Sequence, residues 1–190
     1  MTNRPNEVPD DLLKKLELTG YIKVGQADFH DTNKSNDLFI GSYGDNLVIA
    51  NPDLTYAFFA IQPTQIEKKF IEIFPDSEIA ALAENSSVGE FGYAIIENNA
   101  RVRIKHGCDG NIYNELGDLL YEEEEILEGD IFEQEELDEM REDMNEEDVQ
   151  KMIAFEASWR TPAQISKRYF ADRIDNLDSD SIKMTRYKKM

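Results

Sequence analysis

At 190 residues and 41% apolar content, the chain has the length of one domain and enough material for one hydrophobic core. Its formal net charge is −20, and residues 121–150 alone hold sixteen acids against one base, Arg141. That balance argues against the phosphate backbone of nucleic acid, which needs clustered cations, and against an anionic membrane surface.

The single cysteine, Cys108, excludes an intramolecular disulfide and fits a reducing compartment. Met1-Thr2-Asn3-Arg4-Pro5 leads into no apolar stretch of signal-peptide length. The longest apolar run, Tyr56 to Ile61, has six residues, far short of a membrane span. A soluble cytoplasmic protein is the expectation.

Residues 1–8 read as frayed. Pro9-Asp10-Asp11 opens a helix with acids where the helix dipole favours them; Leu12, Leu13 and Leu16 share a face, and Gly20 ends it. Tyr21–Val24 is a short strand, and residues 25–37 form a polar loop holding Asp28, His30 and Asp31. Leu38–Tyr43 and Leu47–Ala50 make a hairpin that turns at Gly44-Asp45-Asn46 and is broken at Pro52-Asp53. For the aromatic run Leu54–Ile61, periodicity does not decide between a buried strand and a short buried helix.

Thr64 and Glu67 have capping-box spacing, and Ile66, Phe70, Ile73 and Phe74 recur at helical spacing before Pro75 stops the helix. Loss of that cap in Thr64→Ala should cost about 1 kcal/mol. Glu78–Leu82 is a strand, followed by a loop over 85–89. Phe91–Ile96, Ala100–His106 and Ile112–Leu116 then make an antiparallel meander. Asn98-Asn99 and Asp109-Gly110 supply its turns, since these residues tolerate the positive φ that tight hairpins demand. Alternation along the second strand puts Arg101, Arg103 and Lys105 on one face, the expected solvent face.

Beyond the meander, Leu137, Met140 and Met144 lie at helical spacing among acids. Asn145 caps a helix from Glu146 to about Trp159. Thr161-Pro162 reads as a cap with proline at the first position of a further helix, which docks through Ile165, Tyr169 and Phe170. Residues 181–190 read as an edge strand guarded by lysines. The expected fold is a single α+β domain over 1–190, with residues 122–148 an acidic helical or partly flexible segment. An antiparallel sheet of about five to seven short strands has the 91–116 meander at its centre, helices on one side and a helical, acidic C-terminal third.

The candidate chemistry is thin. His106 and Cys108 sit two apart at a strand end, roughly 6–7 Å in an extended chain, too far for a direct thiol–imidazole bond. Asp28, His30 and Asp31 lack the ligand count of a zinc site, as the chain has only two histidines. Asp172, Asp175, Asp178 and Asp180, and likewise Asp109-Gly110-Asn111, miss the spacing of a calcium loop. Gly41, Gly44, Gly89 and Gly92 are turn glycines, since no lysine follows them as a phosphate loop requires. No cofactor, metal or catalytic residue is assigned.

The acidic tract is the most distinctive feature. It reads as a solvated face, as a surface for a basic protein, or as an internal cover for Arg101, Arg103 and Lys105. On the second reading, Glu133, Glu136, Glu139, Glu142 and Glu146 are the contact residues. The run GYAIIENNARVRIKHGCDGNIYNELGDLLYEEEE, with EKKFIEIFPDSEI before it, resembles a group of uncharacterised small bacterial proteins. The resemblance implies a soluble bacterial α+β domain and brings no catalytic residues. The expected function is a non-enzymatic acidic binding module of inhibitor or immunity type. The alternatives are an enzyme built around His106 or His30 with carboxylates, and a structural or oligomeric module.

Overall fold

The computed structural model describes residues 9–32, 34, 36–178 and 182–190. Residues 1–8, expected to fray, and Asp180 and Ser181 lie outside these. Among the described residues the elements are α1 (Pro9–Lys15), β1 (Tyr21–Asp28), β2 (Asp37–Tyr43), β3 (Asn46–Ala50), α2 (Pro52–Tyr56), α3 (Gln65–Ile73), β4 (Ile79–Asn85), β5 (Glu90–Glu97), β6 (Ala100–Cys108), β7 (Asn111–Leu116), α4 (Tyr121–Glu128), α5 (Gln134–Asp143), α6 (Glu146–Ser166) and β8 (Lys183–Lys189). The class is α+β and all strand pairings are antiparallel.

Local turn chemistry sets the hairpins. Asn98 and Asn99 both have positive φ, 51° and 64°, and so join β5 to β6; Asp109 and Gly110, at 48° and 78°, join β6 to β7. Asn51 caps α2 by accepting the Leu54 N–H at 2.9 Å, with Pro52 in the first turn of the helix. The run Leu54–Ile61 is therefore a short helix followed by turns, not a strand.

The strands form two four-stranded sheets, β1-β8-β2-β3 and β4-β5-β6-β7, where a single sheet was expected. Hairpin signals fix pairings between neighbours in sequence. The strands β3 and β4 are separated by α2 and α3 and remain the edges of different sheets.

Both sheets nevertheless feed the same two cores. Leu38 and Ile40 of β2 join Ala94 and Ile96 of β5 in one, with Leu12, Leu13 and Leu16 of α1 and Phe70 of α3 over them. Phe39 of β2 joins Phe91, Tyr93 and Ile95 of β5 in the other, under Ile165 of α6 and Tyr169 and Phe170 just beyond it. Helices thus cover both faces, where cover on one side was expected. Each fully buried large side chain contributes on the order of 1.5–3 kcal/mol, so covering both faces roughly doubles the sheets' yield.

Two C-terminal expectations are corrected. The tail is not an edge: β8 lies between β1 and β2. Its buried Met184 and Tyr187 serve opposite cores, as a central strand requires, while Lys183, Lys188 and Lys189 sit exposed at its ends. Pairing with β8 also extends β1 to Asp28, into residues expected to be loop. The two expected C-terminal helices are one, since α6 runs 21 residues straight through Pro162. Thr161 is no cap; its hydroxyl donates back to the Ala157 carbonyl at 2.8 Å. Beyond the proline, the Ala163 N–H is taken by Glu84 of β4 at 3.2 Å.

Candidate functional site

The alternation along β6 holds from Arg103 onward but breaks at a bulge. Arg103 pairs with Ile95 and Arg101 with Ile96, which belong to opposite cores, so Arg101 lies on the other face, and the face of Arg103 and Lys105 is not wet. Arg103 is 1% exposed and Lys105 9%. A buried cation is costly unless it is paired and its donors are met. Here α4 returns over the meander and delivers Glu123, itself 3% exposed. Arg103 donates from Nε at 2.8 Å and from a terminal nitrogen at 2.7 Å to the two oxygens of Glu123. Its remaining donors reach the Gly117 carbonyl at 2.8 Å and Glu115 at 2.7 Å.

Glu123 is equally well used. It accepts from the Tyr93 hydroxyl at 2.7 Å and from the Leu120 N–H at 3.0 Å, which caps α4. Gly117, at φ +86°, makes the approach possible, because a Cβ there would run into the Val102 carbonyl. Burial alone would lower the basicity of Arg103, but its hydrogen bonds to Glu123 and Glu115 outweigh it and hold the guanidinium above its ordinary pKa. Burial, then the Glu123 charge, push the Tyr93 hydroxyl up.

Two further cation–carboxylate contacts follow, that of Arg101 on the opposite face of the sheet and that of Arg168 beside Glu123 on α4. Arg101 makes a bidentate contact with buried Glu67 of α3 and reaches the carbonyls of Ala60 and Ile61, both at 2.8 Å. Glu67 therefore does not complete the expected capping box. Thr64 does accept the Glu67 N–H, but the Glu67 carboxylate is drawn away to Arg101. Arg168, just past α6, binds Glu122 at 2.6 Å and Glu78 at 3.1 Å. Burial opposes ionisation of Glu122, yet the Arg168 hydrogen bonds win and hold its carboxyl below the ordinary range.

The next part of the tract behaves differently. In α5 no residue is buried. Leu137, Met140 and Met144 are half-buried, while Glu135, Glu139 and Glu142 are exposed. Among the described residues, no side-chain hydrogen bond or ion pair holds Glu135, Glu139 or Glu142. Three of the residues picked from sequence have local work to do. Glu136 accepts the Glu133 N–H at 2.8 Å, capping α5. Glu146 accepts from Gln150 at 2.9 Å and Arg141 at 3.3 Å. Residues 133–148 hold ten acids against Arg141 alone.

The histidine candidates separate. His106 Nε2 lies 3.1 Å from Glu90, whose other oxygen accepts from the Tyr56 hydroxyl at 2.7 Å. The imidazole stacks on Phe59 at 5.3 Å and meets Tyr113 edge-on at 5.7 Å. Burial, then the bond to Glu90, push the Tyr56 phenol up to about 12. Cys108 takes another course and donates to the Val88 carbonyl at 3.1 Å. His30 lies 2.9 Å from the Leu177 carbonyl, and Asp28 pairs with Lys183 at 2.7 Å. Asp175 pairs with Arg173 at 2.7 Å. Among the described residues no loop gathers these acids into a cluster.

A cavity of about 540 Å³ opens between β3 and β4. Sequence reading did not find it, because its walls come from edges whose neighbours are decided only in three dimensions. Glu84 and Asp175 stand at it, and among the described residues no lysine or arginine lines it. Burial, then the charge of Asp175, raise the Glu84 carboxyl above its ordinary value although the residue keeps an exposed surface. No helix among the described residues is long and apolar enough to cross a membrane. Compared with known proteins, the chain matches no family model, no curated protein and no solved structure.

Proposed function

We propose that this chain is a non-enzymatic cytoplasmic binding module whose acidic arm, α5 with the start of α6, engages a basic protein surface. One observation carries the reading: the acidic tract divides. Its first glutamates, Glu122 and Glu123, are buried against arginines of the same chain. Those of α5 stay in water with one arginine among them. Uncompensated like charges destabilise a compact state through self-repulsion, so their retention on one ordered helix suits a use outside the molecule. Such a surface steers a cationic partner and raises its association rate. An inhibitor or immunity protein that covers a basic site has these requirements. The five glutamates read from sequence stay within the proposed surface, with Glu139 and Glu142, joined by Glu135, as its outward members.

The test starts with a partner captured from the native cell extract and then purified. Its association rate with the full chain is measured across salt concentrations. With Glu135→Lys, Glu139→Lys and Glu142→Lys together, the rate at low salt should fall at least tenfold and lose most of its salt dependence. Binding that is unchanged by the triple reversal overturns the proposal.

A further inference from the structure

Hydrogen bonding in each sheet stops at β3 on one side and at β4 on the other. Among the described residues, β3 pairs with β2 alone and β4 with β5 alone. Each strand therefore presents a row of backbone N–H and C=O groups on its open side. Tyr43 and Asn46 close the two-residue turn of the β2–β3 hairpin, and such a closing pair exchanges both bonds. Counting along β3 from that pair, Asn46, Val48 and Ala50 bond inward to β2, and Leu47 and Ile49 point their backbone groups outward.

The cavity sits on those open sides. Consecutive residues 47–52 and 79–85 line it, odd and even alike, so its walls are strand edges rather than sheet faces. Helical cover is already in place above and below. Phe58, Phe70 and Phe74 close it on the side of one core, and Pro162, Phe170 and Ile174 on the other. The opening between β3 and β4 is thus walled by two strand edges and two apolar layers. Its acidic residues, Glu84 and Asp175, meet no lysine or arginine in the lining, and Asp175 is held by Arg173. Glu84 takes the Ala163 N–H with one oxygen and has the other left to face an occupant.

We infer that this slot binds an extended peptide of about five residues, apolar on both faces, with a lysine or arginine at the end that meets Glu84. The length follows from β3, which offers five residues to pair with. The peptide would add a strand to one or both edges, with main-chain hydrogen bonds giving affinity and the flanking apolar layers giving selection. A strand buried on both faces must be apolar on both, unlike an ordinary edge strand. This site is separate from the acidic arm, and either proposal can fail alone.

The experiment uses the full chain and seven-residue synthetic peptides of valine and isoleucine with a lysine at one end or the other, carried on a neutral glycine–serine tail. Binding is measured by titration calorimetry at physiological salt. The same peptides with alternate backbone nitrogens methylated serve as controls, and dodecylamine serves as a cationic apolar probe without a backbone. Binding of one lysine orientation, at least tenfold stronger than its methylated form, is the expected result. Ile49→Pro, which removes an outward N–H and leaves the β2 pairing intact, should weaken that peptide at least fivefold, and Glu84→Gln should reduce the preference for lysine. The triple reversal in α5 should leave this binding unchanged. Equal binding of methylated peptides, binding of dodecylamine alone, or no binding by any probe each overturns the inference.

Discussion

The two ends of one acidic tract meet opposite fates. Glu123 is 3% exposed and shares its oxygens among Arg103, Tyr93 and the Leu120 N–H. Some twelve residues later, Glu135, Glu139 and Glu142 stand exposed on α5. The residue type is the same and the local composition is nearly the same. What differs is whether a cation waits opposite. The β6 strand puts Arg103 under α4, while α5 lies against α6 with Leu137, Met140 and Met144 half-buried and with Arg141 the one base between residues 133 and 148. A carboxylate is worth burying only where its partner and its remaining lone pairs are both satisfied. Elsewhere it belongs in water, free to act on something else.

The sharpest way to break this contrast is to remove one buried partner. Glu123→Ala strands the Arg103 guanidinium in the core, and unfolding in urea should show a loss of about 3–5 kcal/mol. A loss below about 1 kcal/mol would mean that the pair is not buried in solution. The double change Arg103→Met with Glu123→Leu removes both charges at once. It should recover most of that loss, because apolar packing of similar volume often matches a buried ion pair. If the double variant is as weak as the single, the arginine's bonds to Gly117 and Glu115 matter more than the pair itself.

Acid should find the buried half next. The carboxyls of Glu122 and Glu115 are held below the ordinary 4.5, although burial opposes this, by hydrogen bonds from Arg168 and Arg103 respectively. A carboxyl with a depressed folded pKa stabilises the fold above its unfolded value. As the pH falls below 4.5, the unfolded chain takes up these protons first, and the contribution drains away through the lower folded values. Urea midpoints should therefore drop steeply below that pH, and Glu122→Gln should flatten the drop. An unaltered slope in Glu122→Gln would remove Glu122 from the account.

The smallest effect belongs to the outer half. Glu139→Lys or Glu142→Lys should move stability by no more than about 0.5 kcal/mol, the usual span for a surface change away from caps and buried groups. A larger loss would show that these side chains serve the fold, and the contrast between the two halves would collapse.

Much of the local structure was legible in the chain. The hairpin turn at Asn98-Asn99, the caps at Thr64 and Asn145, and the shared face of Arg103 and Lys105 all depend on residues within a few positions of one another, whereas the bulge that turns Arg101 to the other face was not legible. Such signals survive in any context because the competing interactions are short in range. The acidic tract was visible too, as was the possibility that it covers the β6 cations. Which glutamates do so was not, because the choice rests on a return of α4 across the meander.

The sequence by itself determined the α+β class, most of the hairpins and the identity of the charged segment. Only the tertiary structure decided that the C-terminal strand is central, that helices cover both faces, that Pro162 lies inside a helix and that two sheets leave a slot between their edges. Each of these joins residues far apart in the chain. The lysines of β8 argue for an edge until Met184 and Tyr187 are seen to serve opposite cores, and Glu67 argues for a cap until Arg101 reaches it. Local preferences of about 1 kcal/mol yield when burial and charge pairing across the fold offer several.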